Sequence, residues 1–81
     1  MKAGNLTAER AFAKIQTVLG EKRGSALISK TLVTLRLSSL DTVDDCYRFG
    51  DTLTRDGGVN EAIGRSIMVQ ALLAGANANR T

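Results

Sequence analysis

The chain has 81 residues, 43% hydrophobic and 23% charged, with a net charge of +3. That is the length of one small domain, near the lower limit of what folds alone, and its mixed composition argues against disorder. Proline and histidine are absent and Cys46 is the only cysteine, which removes the commonest general base and metal ligand, any internal disulfide, and a residue that all-β folds use at turns and edges.

The charge is uneven. Residues 1–36 hold seven basic and two acidic residues; residues 37–81 hold four basic and six acidic. A basic half of this kind suits nucleic acid or an acidic protein surface. Met1 to Asn5 lacks the apolar core of a secretion signal, and the longest apolar run, Ile67 to Ala74, is interrupted by Gln70 and falls far short of the roughly 20 residues a membrane span needs. A cytoplasmic, reducing setting is expected.

The pattern predicts an all-α fold of four short helices, at about 7–20, 25–37, 41–55 and 60–75, within one domain spanning 1–81, with 1–5 and 76–81 frayed. In the first helix Thr7 is the expected cap, and Ala8, Ala11, Phe12, Ile15, Val18 and Leu19 repeat at helical spacing as one narrow apolar stripe. Gly20 to Gly24 reads as a stop and turn. Ser25 is then a cap for the second helix, which is apolar on two sides: Ile28, Leu32 and Leu35 on one, Ala26, Val33 and Leu37 on the other. A helix apolar on two sides belongs in a domain's centre. The main alternative is a strand at 31–38, because Val33 to Leu37 alternates and Thr31, Val33 and Thr34 are β-branched; no second strand is evident to pair with it.

In the third segment Leu40, Val43, Cys46, Tyr47, Gly50 and Leu53 recur on one side. Thr42 and Asp45 have capping-box spacing, and Asp44 to Arg48 and Asp51 to Arg55 are acid-before-base pairs four apart. Asp56-Gly57-Gly58 marks a turn, and Asn60 is the expected cap of the fourth helix. That helix is apolar over most of its circumference: Ile63, Ile67, Ala71 and Ala74 on one face, with Met68, Val69, Leu72 and Leu73 covering most of the rest, up to a stop at Gly75. The second and fourth helices are thus expected at the centre.

Two such helices are more apolar surface than a domain this small hides readily. The expected function is therefore a small non-enzymatic interaction protein, a regulator, inhibitor or assembly subunit, docking a protein partner or a second copy as a homodimer. The expected interface is Ile63, Ile67, Met68, Leu72 and Leu73. The alternative is a nucleic-acid-binding regulator using Arg10, Lys14, Lys22, Arg23, Lys30 and Arg36. A helix-turn-helix register with Gly20 in the turn places Ile15 and Leu19 inside, but puts Glu21 and Ser29 where that motif buries apolar residues.

No catalytic residue, cofactor, metal site, membrane segment or small-molecule substrate is expected. Asp41, Asp44, Asp45 and Asp51 lack the spacing and glycine of a calcium loop and read as a salt-bridged outer face. Cys46 has no histidine to activate it and lies beside Tyr47 on an apolar side, so it reads as a buried structural thiol.

Overall fold

The computed structural model describes the backbone of residues 3–76 and the side chains of residues 8–76. Four helices follow one another: α1 (Ala3–Leu19), α2 (Glu21–Leu35), α3 (Val43–Thr54) and α4 (Gly58–Leu73). No strand occurs among the described residues, so the alternative at 31–38 is not realised. Helix absorbs its β-branched residues because the Thr31 hydroxyl donates to the Leu27 carbonyl (2.8 Å) and the Thr34 hydroxyl to the Lys30 carbonyl (3.0 Å). This back-bonding leaves the buried Thr31 with no unsatisfied polar group.

The joints are short and set by glycine. Gly20 alone separates α1 from α2, at φ 87° and ψ 161°, a conformation only glycine adopts without steric cost. The expected turn at 20–24 is thus one residue long, and Ser25 lies inside α2, accepting from the Gln16 side-chain amide (3.2 Å). Gly24 is buried inside α2 where that helix comes close to α1: a Cβ there would stand only 3.0 Å from the Gln16 α-carbon. α1 likewise begins at Ala3, ahead of the expected cap at Thr7, while residues 1–2 and 77–81 of the expected frayed ends lie outside the described residues. α4 begins at Gly58 and not at Asn60, whose side-chain amide donates back to Asp56 (3.3 Å).

Other ends follow expectation. The Asp45 N–H donates to the Thr42 hydroxyl oxygen (3.0 Å), and the Asp45 carboxylate accepts from the Thr42 N–H (3.3 Å), closing the capping box at the start of α3. At the end of α4, Gly75 N–H donates to the Leu72 carbonyl and Ala76 N–H to that of Ala71, a Schellman closure with Gly75 in the left-handed region. α2 closes in the same way through Arg36 and Leu37, but its left-handed residue is Arg36, at φ 59°.

The core is built from Ala8, Ala11 and Ile15 of α1, Cys46, Phe49 and Leu53 of α3, Ile63, Ile67 and Ala71 of α4, and Leu40 from the α2–α3 connection. α2 contributes no fully buried apolar side chain; its buried residues are Gly24 and Thr31. The expectation that the second and fourth helices form the centre is therefore corrected. α2 packs on α1 and α3 and does not approach α4, whereas α3 and α4 make the most extensive pairing.

The physical reason lies in two glycines. A Cβ on Gly50 would stand 2.7 Å from the Gly64 carbonyl oxygen, and a Cβ on Gly64 would collide with the Gly50 carbonyl oxygen. Each helix thus presents a bare α-carbon to the other's backbone, an approach no side chain permits, and the α-hydrogens face carbonyl oxygens. Beside this crossing Phe49 is wholly buried and meets the Phe12 ring edge-on at 5.9 Å between centroids.

Candidate functional site

Among the described residues α4 is covered on two sides only. α3 takes the side carrying Gly64 and Met68, and α1 takes the side of Ile67 and Gln70. The third side faces solvent. There Leu73 is 78% exposed, Val59 55%, Val69 53% and Leu72 42%. Val59, Ala62, Ser66, Val69 and Leu73 are spaced three, four, three and four residues apart, the repeat that keeps a seam turned toward a partner helix laid alongside. Ala62 is exposed and Ser66 half-buried, so the seam runs the length of α4 on its free side.

The expected interface is divided by this geometry. Leu72 and Leu73 are on the free face and Met68 is half-buried against α3. Ile63 and Ile67 are 2% and 1% exposed, fill the protomer's own core, and have no surface left to give a partner. Val59 and Val69 are the apolar residues exposed beside Leu73 instead. The three-four spacing of Val59, Val69 and Leu73 was the available signal, but Ile63, Ile67 and Ala71 repeat just as regularly on the opposite side, and the sequence does not say which stripe turns inward.

The cations also divide. Arg10 and Lys14, one turn apart on α1, line a shallow cleft with Ala11, Ser66, Ile67 and Gln70. The cleft holds about 20 Å³, room for a single water and far below the several hundred Å³ of a small-molecule site. Lys22, Arg23 and Lys30 lie on the outward side of α2, which packs against α1 at Gln16. Gln16 and Lys14 are about 160° apart around α1, so the two groups occupy different faces. Arg36 is at the far end of α2. All six are exposed, and none makes an ion pair among the described residues. Glu21 and Ser29 are exposed as well, so the helix-turn-helix register does not describe α1 and α2.

No protein-family model matches this chain, nor does any curated protein or solved structure.

The acidic residues have structural work. Asp45 closes the capping box, Asp41 accepts from the Ser39 hydroxyl (2.7 Å), and Asp51 pairs with Arg55 (3.1 Å). Among the described residues no group of three His, Cys, Asp or Glu side chains could hold a metal ion. No helix among them is long and apolar enough to cross a membrane. Cys46 is wholly buried, and burial, with the Asp45 carboxylate adding to it, pushes its thiol up to about 11. A nucleophilic thiol needs the opposite shift, from a nearby cation or base.

Proposed function

We propose that this protein is a non-enzymatic interaction module, a regulator, inhibitor or assembly subunit, that docks a protein partner on the free face of α4. One observation carries the reading: Val59, Val69 and Leu73, with Leu72 at their border, stand in solvent along one helix, whereas the other large exposed apolar residues, Val18 and Val33, stand singly on α1 and α2. Burying a valine or leucine contributes about 1.5–3 kcal/mol. Covering the exposed part of these four supplies about 5 kcal/mol before the costs of association, which suits a reversible partner.

The test is capture from the native host by the full chain and by a Val69→Glu/Leu73→Glu variant. Both side chains are exposed in the protomer, so the thermal melt should be unchanged while the partner is lost. A partner retained by the variant refutes the reading.

A second reading, contact with nucleic acid, is favoured by Lys22, Arg23 and Lys30 on the outward side of α2, which make no ion pair among the described residues. Phosphate contact predicts binding that falls steeply with salt and is abolished by Lys22→Glu/Lys30→Glu. A gel with no duplex DNA shift at low salt ends that reading.

A further inference from the structure

We infer that the occupant of the α4 face is an acidic amphipathic helix of another protein, whose carboxylates are read by Arg10 and Lys14. The inference rests on the docking reading above and adds the partner's chemistry. The seam of Val59, Ala62, Ser66, Val69 and Leu73 accepts a helix laid along α4. Ser66 belongs both to that seam and to the cleft lined by Arg10 and Lys14, so a helix on the seam has one flank beside these two cations. They are four residues apart on α1 and present positive charges one turn apart, the repeat at which a facing helix presents Glu or Asp. Neither is engaged by another described residue. Across the seam, Arg65 is already held by Glu61 at 2.7 Å and Leu72 completes the border. The uncommitted charge therefore lies on the α1 side and is positive.

The same charges disfavour a second copy. Pairing α4 with α4 of another protomer brings Arg65, Arg10 and Lys14 toward their own counterparts, in a chain of net charge +3. This chain's own acids sit chiefly on and around α3, where Asp41, Asp45 and Asp51 serve the capping loop and Arg55. Nucleic acid is disfavoured on this face too, since two cations beside an apolar seam make no phosphate track.

The experiment is a displayed library of helical peptides panned against the full chain. Leucine or valine is fixed at three-four spacing, and flanking positions are drawn from Glu, Lys, Gln and Ser. Enriched peptides should be acidic along one flank and bind about tenfold more weakly at about 0.5 M salt. Against the Arg10→Glu/Lys14→Glu variant, checked for an unchanged melt, enrichment should switch to basic flanks at the same apolar positions. Enrichment without charge bias, or a preference the variant leaves unaltered, overturns the acidic partner while leaving the docking face standing. No helix enriched, together with failed capture from the host, overturns both. A sedimenting dimer that Val69→Glu/Leu73→Glu dissolves overturns the inference in favour of self-association.

Discussion

Substituting Gly64 by alanine sets two effects of opposite sign against each other. On helix propensity alone, alanine inside α4 stabilises by about 1 kcal/mol. The structure opposes this. The added methyl meets the Gly50 carbonyl oxygen, stands 2.8 Å from the Thr54 nitrogen and 2.9 Å from the Leu53 β-carbon. The first two are backbone atoms in α3, so the strain cannot be relieved by turning a side chain; the helices must part. Overpacking costs about 1–3 kcal/mol, and fixed backbone neighbours place this case at the upper end. The net loss is about 2 kcal/mol, which for a domain of this size lowers the melting temperature by about 8–16 °C. Gly24→Ala provides the scale: its neighbours, two of them Gln16 backbone atoms, stand farther off at 3.0–3.3 Å, so a crowding cost at the lower end, about 1 kcal/mol, offsets the propensity gain and the change should be close to neutral. Urea unfolding followed by circular dichroism, with all three chains side by side, measures the difference. A Gly64→Ala chain as stable as the parent or more so would refute the account of the α3–α4 crossing.

Two further outcomes follow from local geometry. Arg36→Gly should stabilise by about 0.5 kcal/mol, because relief of left-handed strain of about 1 kcal/mol exceeds the roughly 0.5 kcal/mol cost of glycine's added freedom in the unfolded chain; a lower urea midpoint would contradict the strain reading. Cys46 keeps its proton in the fold up to about 11, whereas the unfolded thiol loses it near 9.0. The unfolded state thus binds fewer protons between those values, and stability falls as pH rises through that window, levelling off above it. A Cys46→Ala chain should show a shallower decline over the same range, and parallel profiles would exclude the thiol as a cause.

Much of the fold is legible because it is local. The stripe of Ala8, Ala11 and Ile15, the box at Thr42 and Asp45, the stop at Gly75 and the Asp51–Arg55 pair each involve residues within a few positions of one another. Helical spacing also finds the Cys46–Leu53 side of α3, and Phe49, three residues past Cys46, shares that side and is wholly buried. The illegible part is pairing. An apolar count makes the second helix look central, yet α2 leaves Ala26 and Val33 in solvent. What selects α3 as α4's partner is the meeting of Gly50 with Gly64, two residues on different helices that look like tolerated defects when each helix is read by itself. The exposed face of α4 follows from that choice: once Gly64 turns inward, Ile63 and Ile67 go with it and Val69 and Leu73 are left outside.

The tightest pairing in the molecule also joins the two helices that are synthesised after α1 and α2. As α1 and α2 leave the ribosome, the stripe of Ala8, Ala11 and Ile15 finds only α2, which has no fully buried apolar side chain to offer. The native arrangement becomes available only when Gly64 has followed Gly50 out of the exit tunnel. Until then the apolar stripe of α1 has no complete core to join.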